Sequence, residues 1–297
     1  MTTQFEILCI GSVLWDVIGR SSSMMRIGSD VPGKIQRIPG GVAMNIAMTL
    51  SYFGMRPVLL SVLGHDPEGD QLITEANQMG LVTDYIYRTE KLPTDFYMAI
   101  EGKNGLISAI ADAHSLERAD EKILRPLEDG RLGSSAEPYK GMIALDGNLT
   151  STLLQHIANS PLFSDADLRV APASPGKADR LLSLLDHPSA TLYVNLEEAG
   201  LLCQRTFKSA SDGAEALIKH GAKRVLVTNG NQSAAEALNG DIIVKSPPKV
   251  NVSRITGAGD TFMAMHIISE AQGMTREKSL ERALEAAAIY VSGETPK

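Results

Sequence analysis

The sequence predicts an α/β protein, with a large and mostly parallel sheet covered by helices on both faces and a small β sheet attached to it. Three observations predict this. Short, near-continuous apolar runs such as "EILCIG", "GMIALD" and "KRVLVTNG" alternate with helical periodicities along most of the chain, the pattern of buried parallel strands joined by crossover helices. One stretch, "TDFYMAIEGKNGLISAIAD", breaks that rhythm and reads as a hairpin around the turn "EGKNG". The 297 residues are 43% hydrophobic, enough to fill a full core in one large domain or two smaller ones.

The elements follow in order. The strand "EILCIG" ends in glycine. Gly40 and Gly41 open "GGVAMNIAMTLSYFG", where Val42, Ile46, Leu50 and Phe53 recur at helical spacing and Gly54 is a stop. "PVLLSVLG" is a strand. "DPEGDQLITEANQMG" is a helix capped by Asp66, with Pro67 in its first turn and Gly80 beyond its end. The stretch 125–140, polar and broken by Gly and Pro, is a loop. After it come strand "GMIALD", helix "TSTLLQHIA", strand "LRVAPA", helix "GKADRLLSLL", strand "TLYVN", helix "DGAEALIKHG" and strand "KRVLVTNG". Helices over 258–271 and 276–292 close the chain. "WDVIG" and "KIQRI" join the hairpin in the small sheet. The reading is one domain over 1–297, with lid segments at about 12–38 and 95–112 inserted into the α/β body.

Composition narrows the function. The formal net charge is −7, which argues against nucleic acid as the main partner, since phosphate backbones are bound through clustered Lys and Arg. A phosphorylated small molecule needs only a local patch. Cys9 and Cys203 lie far apart in apolar surroundings and read as buried free thiols of a reducing compartment. The His residues show no metal spacing. The N-terminus lacks a basic leader and no apolar run approaches about 20 residues, so a soluble cytoplasmic protein with no membrane partner is expected.

Four constellations carry chemistry. In "TGAGDTFMAMHI" the apolar residues after Asp260 are too dense for an exposed helix, so Gly257, Ala258 and Gly259 form the first turn of a buried one. Free N–H groups at a helix N-terminus make an anion site, and glycines let a phosphate approach. A carboxylate one residue beyond can take the proton of an attacking hydroxyl. The plainer reading makes Asp260 a helix-start residue and the glycines a tight turn. Next, Gly40 and Gly41 leave room for a substrate against the backbone, and Asn45 follows one helical turn on. Asn45 and Asp16 together suit a vicinal diol; alternatively Asn45 is a polar surface residue. Third, Asn195 and Glu198 in "NLEEAG" sit at a strand-to-helix junction, where open α/β sheets bind ligands. Glu198 either orients water around Mg²⁺ or closes a capping box with Asn195. Fourth, "VTNG" puts Thr228 and Gly230 either near nucleotide phosphates or in an ordinary turn. There is no GxxxxGK[ST] and no GxGxxG loop.

Together, in this order, these motifs resemble the ribokinase-like (PfkB) carbohydrate kinase family over essentially the whole chain. "GGVAMNIAMTLSYFG" looks like its sugar motif, "NLEEA" like its NxxE magnesium–phosphate motif and "TGAGDTF" like its C-terminal signature. The resemblance implies a ribokinase-like three-layer sandwich with a β lid, and ATP-dependent phosphorylation of a hydroxymethyl group. Carried over by position, Asp260 is the base and Gly257–Gly259 the anion hole. Asp16, Gly40, Gly41 and Asn45 bind the sugar, and Asn195, Glu198, Thr228 and Gly230 lie on the ATP–Mg²⁺ side. Within the family, the lid run and "ALDGNLTS" are most similar to pseudouridine kinases, which adds Asp112 and Asn148 to the substrate pocket. The alternatives are a kinase of adenosine, inosine, ribose or a ketohexose, and a non-catalytic sugar or nucleoside sensor. Asp260 is expected to be ionised at neutral pH beside the helix N–H groups. Many members carry an acid of a monovalent-cation loop where Arg254 stands, so potassium activation is not carried over, and the tail after "AAAIYVSGE" abbreviates the usual adenine-contacting segment. Exposed lid edges allow a homodimer.

Overall fold

Along the first strand Ile7 and Cys9 face one hydrophobic core while Leu8 and Ile10 face another. That parity, the period of two of an extended chain, organises the molecule. The computed structural model describes residues 6–26, 28–254 and 256–293. Its strands are β1 (Glu6–Ile10), β2 (Leu14–Arg20), β3 (Lys34–Gly40), β4 (Arg56–Leu60), β5 (Val62–Gly64), β6 (Tyr87–Thr89), β7 (Phe96–Gly102), β8 (Gly105–Asp112), β9 (Met142–Asp146), β10 (Asp167–Ala171), β11 (Ala190–Asn195), β12 (Arg224–Asn229), β13 (Gln232–Leu238) and β14 (Asp241–Lys245). Its α-helices are α1 (Val42–Tyr52), α2 (Pro67–Gln78), α3 (Ser115–Ala119), α4 (Ser151–Asn159), α5 (Leu196–Leu202), α6 (Ala210–Lys219), α7 (Ala258–Ala271) and α8 (Arg276–Ser292).

The main sheet has eight strands in the order β14-β13-β12-β11-β10-β9-β1-β4. The six from β12 to β4 are parallel, and β13 and β14 are antiparallel. Leu8, Ile10, Ile143, Leu145, Val225 and Val227 pack with α4, α5 and α6 on one face. Ile7, Cys9, Leu59, Ala144 and Leu226 pack with α1, α7 and α8 on the other. Each fully buried Leu, Ile or Val contributes about 1.5–3 kcal/mol relative to exposure. The result is the three-layer sandwich expected from the sequence. α7 is buried almost all round, from Thr261 to Ser269, as its dense apolar run predicts.

A second sheet, in the order β3-β2-β7-β8, is built from two distant segments. β2 and β7 pair in parallel, and each continues antiparallel into its own neighbour. Several elements differ from the sequence reading. "PVLLSVLG" breaks at Ser61 into β4, in the main sheet, and β5, which pairs with β6. Residues 175–184 form a 3₁₀ segment, not an α-helix; the buried Ala178, Leu181 and Leu184 recur every three residues, its own period. Another 3₁₀ segment, 120–127, takes the start of the expected 125–140 loop. The terminal residues 1–5 and 294–297, including the whole of the abbreviated tail, lie outside the described residues.

Candidate active site

The carboxyl edge of the parallel strands gathers most of the residues singled out in the sequence. Gly11 and Ser12 follow β1, and Asp146 ends β9. Asp146 is fully buried. It accepts the Ser12 backbone N–H at 2.7 Å, the Ser12 hydroxyl, and the Asn148 N–H at 2.7 Å. Ser12 in turn anchors α1. Its Oγ accepts the Val42 N–H at 2.9 Å and its carbonyl accepts that of Met44 at 3.3 Å. Gly41, the N-cap of α1, has φ +96°, and a side chain there would strike the Ser12 carbonyl. Gly40 has the Asp16 carboxylate where its own side chain would stand. Glycine at 40 and 41 therefore lets β3, β2 and α1 meet.

α1 then delivers Asn45 to α7. Asn45 Nδ2 donates to Asp260 Oδ2 at 2.9 Å. Gly257 caps α7 in the left-handed region at φ +88°, and Asp260 stands in the first turn. Burial, and after it the nearby Asp146 and Asp16, push the Asp260 carboxyl up to about 7 against the lowering bond from Asn45. This corrects the expectation of an ionised group at neutral pH, where a carboxyl at about 7 is half protonated: desolvation outweighs the helix end. Burial likewise pushes Asp16 up to about 6. Asp16, Asn45, Asp146 and Asp260 thus form an acid-rich cleft lined by glycines.

Asn148 serves differently from a free ligand contact. Its Oδ1 accepts Lys177 Nζ at 2.5 Å and its Nδ2 donates to Ser12 Oγ at 3.2 Å, so both ends of the amide are engaged. Arg180 donates to the Asn148 carbonyl at 2.9 Å and pairs with Glu117, also at 2.9 Å. Burial lowers the Lys177 ammonium pKa. Asp112 ends β8 and is exposed; beyond burial, the main cause, it adds to the rise of the Asp95 carboxyl.

The other residues form a second group. β11 and β12 place Asn195 opposite Thr228 in parallel register, which brings the two strand-end motifs side by side. Asn195 and Glu198 make a reciprocal capping box: Asn195 Oδ1 accepts the Glu198 N–H at 2.9 Å, and Glu198 Oε2 accepts the Asn195 N–H at 2.8 Å. Glu198 is buried, and burial with neighbouring Glu197 pushes its carboxyl up to about 7. Gly230 has φ +55° just after a bulge in β12. Ser12, Asp146, Lys177 and Arg180 were missed in the sequence. "ALDGNLTS" held Asp146 two residues from the chosen Asn148, but its role depends on Ser12, 134 positions away.

Known proteins resemble this chain over nearly its whole length. Residues 4–296 match the pfkB family of carbohydrate kinases. A pseudouridine kinase of Escherichia coli (strain K12) is 28% identical over 293 residues, covering 97% of this chain and 91% of that protein. A guanosine-inosine kinase of Exiguobacterium acetylicum is 26% identical over 288 residues, covering 94% and 90%. The structure of Arabidopsis thaliana ribokinase complexed with ribose and ATP superposes with a TM-score of 0.71 at 21% identity, covering 97% of this chain and 92% of that one, which shows the shared fold.

Proposed function

The chain belongs to the pfkB family of carbohydrate kinases and is an ATP-dependent sugar or nucleoside kinase, and we propose that its acceptor is the 5′-hydroxymethyl group of a ribosyl compound, pseudouridine first among them. The observation that carries this reading is the Asn45–Asp260 bond, which joins the diol-binding side of the cleft to the carboxylate at the head of α7. Asp16 and Asn45 hold the ribose hydroxyls, against the bare backbone of Gly40 and Gly41. Asp260 takes the proton of the 5′-hydroxyl as its oxygen bonds to the γ-phosphorus. The bond from γ-phosphorus to the bridging oxygen breaks, and ADP leaves. N–H groups of Gly257, Ala258 and Gly259 bind the charge that develops on the transferred group. Lys177, bonded to Asn148, offers a donor to a carbonyl of the base. Asp112 pairs with Phe96 and so lies on the lid face opposite Asp16, which takes it out of the proposed substrate contacts.

Asn195, Glu198, Thr228 and Gly230 form the ATP side. Among the described residues no group of three or more acidic, His or Cys side chains could cage a metal. One buried carboxylate fits an ion that keeps waters and substrate phosphates as ligands, as Mg²⁺ does. Bound there, Mg²⁺ would neutralise phosphate charge, and Glu198 would reach it through water. The described helices include none long and apolar enough to cross a membrane, and use of ATP fits a cytoplasmic enzyme.

The β3-β2-β7-β8 sheet is the proposed lid. Ile35, Met98, Ile100 and Ile110 share its face opposite Asp16 and are exposed, which supports a homodimer through that face.

The test is a panel of pseudouridine, uridine, guanosine, inosine, adenosine, ribose and ketohexoses, assayed for ADP release. Pseudouridine should give the highest kcat/KM. Preference for a purine nucleoside would move the reading toward the guanosine-inosine relative. Reaction of free hexoses alone would overturn the ribosyl assignment, and ligand binding without product would favour a sensor.

A further inference from the structure

We propose that Arg254 and Tyr290 form a latch that holds the backbone of the anion site in its binding conformation, which makes both positioning residues for phosphoryl transfer. The proposal rests on Gly257–Asp260 being the reacting end of α7. Two helix ends with opposite needs meet at this point. The first N–H groups of α7 favour an anion, and the last carbonyls of α8 favour a cation or hydrogen-bond donors.

The residues leading into α7 meet the second need. The Val291 carbonyl accepts the backbone N–H of Ser253 at 2.7 Å and of Arg254 at 3.2 Å. It also accepts the Ser253 hydroxyl at 3.2 Å. Arg254 Nε donates to the Tyr290 carbonyl at 2.8 Å, and the guanidinium carbon lies 3.8 Å from the centroid of the Tyr290 ring. This position puts a permanent cation at the negative end of α8 and over the electron-rich face of an aromatic ring.

Tyr290 carries the constraint back to α7. Its hydroxyl donates to the Thr256 carbonyl at 3.0 Å. Its phenol end occupies the space that a side chain on residue 257 would need. Gly257 is therefore held at φ +88° with a bond on the residue before it and a ring against it. The same residues line a cavity of about 220 Å³ together with Asn45 and Thr261. Asn45 bonds Asp260, and Thr261 follows it in the helix. The region is not tightly filled, so the polar contacts must fix a backbone that packing alone leaves room to shift.

The test compares Arg254→Met, Arg254→Lys, Tyr290→Phe and the double variant Arg254→Met/Tyr290→Phe. Steady-state kinetics are read beside thermal unfolding and amide hydrogen exchange over 253–261, where the Ser253, Arg254 and Thr261 N–H groups are bonded. A displacement near 1 Å at the reacting end can cost about a hundredfold in rate. Arg254→Met should therefore lower kcat by about 10–100-fold with the acceptor KM nearly unchanged, and should speed exchange at the bonded amides of 253–261. Tyr290→Phe keeps the ring and loses only the bond to Thr256, so its loss should be smaller. The double variant should be no worse than Arg254→Met, because both changes open one latch. Arg254→Lys should rescue part of the rate by restoring the charge without the flat stack. A kcat for Arg254→Met within twofold of the parent overturns the proposal. So does a fall in kcat with unaltered exchange, which would make Arg254 a direct contact. If Arg254→Met does not fold, unaltered exchange and rate in Tyr290→Phe overturn the proposal alone. Turnover retained by Asp260→Asn would instead sink the base assignment, while the exchange readout still decides the latch.

Discussion

At its N-terminal end α7 presents Asp260, pushed up to about 7 by burial and by Asp146 and Asp16, with one amide as its hydrogen-bond partner. Toward its C-terminal end the same helix carries His266 and Glu270 into a cluster where the acids are paired with guanidinium groups. Arg224 meets Glu236 at 2.6 Å and Glu270 at 2.5 Å. Arg276 bridges Glu236 and Asp241, and Arg169 bridges Asp167 and Glu270. The Tyr193 hydroxyl lies 2.9 Å from His266 Nδ1. Burial alone would raise the Glu236 carboxyl, but His266, 3.6 Å away, and the charge of Arg224 bring it down to about 2. Both ends are desolvated, and only one is neutralised. The paired end suits anchoring, and the unpaired end suits chemistry that needs a basic carboxylate near neutral pH.

Breaking the unpaired end should have the largest effect. Asp260→Asn should lower kcat by about 10²–10⁴-fold, the usual contribution of a positioned base, with ATP affinity retained in a binding assay. The same change should stabilise the fold at alkaline pH. The folded carboxyl titrates at about 7 and an unfolded aspartate at about 3.9. The folded state therefore holds its proton more tightly, and that stability, full at low pH, is lost as pH rises through 7. Melting curves should show the variant above the parent at pH 8 and level with it at pH 4.

At the paired end, Glu236→Ala would leave Arg224 and Arg276 without their shared carboxylate in a buried setting. A loss of about 3–5 kcal/mol in urea unfolding is expected, with kcat per folded molecule kept within about twofold. Equal losses of activity at both ends would erase the distinction. Gly41→Ala tests the cleft wall. With φ +96° and the Ser12 carbonyl in the way, it should raise the acceptor KM about tenfold through a local shift costing on the order of 1–3 kcal/mol. The mildest probe is pH. The logarithm of kcat/KM should rise with unit slope and level off near 7, about tenfold per pH unit below the break. A break near 4 would show Asp260 to be ordinary.

The layers were legible because they are written locally. Ile7, Cys9, Leu8 and Ile10 declare a strand buried on both faces, and the Asp66-Pro67 start of α2 declares its own boundary, with Asp66 accepting the Gly69 N–H at 2.8 Å. The β13–β14 hairpin was also written, in the Asn239-Gly240 turn with both φ positive. It went unread because the alanines of "SAAEAL" give weak strand signal. Asp16, Asn45 and Asp260 could be chosen by motif. Their electrostatics could not, because the rise at Asp260 comes from burial and from acids 114 and 244 positions away in the chain. The ion pairs of Glu236 likewise join strands and helices whose adjacency only the fold supplies.

Gly259 separates two kinds of selection. Its φ is not in the left-handed region, it lies inside α7, and nothing stands within 4 Å of where a methyl group would go. Alanine there is compatible with the fold, and helix propensity favours it by about 0.5–1 kcal/mol. A library sorted for thermal tolerance alone should therefore enrich Gly259→Ala. One sorted for turnover should discard it if that open space is where the phosphate approaches. By contrast, glycine at 41 and 257 should survive both sorts, because the chain itself needs it there.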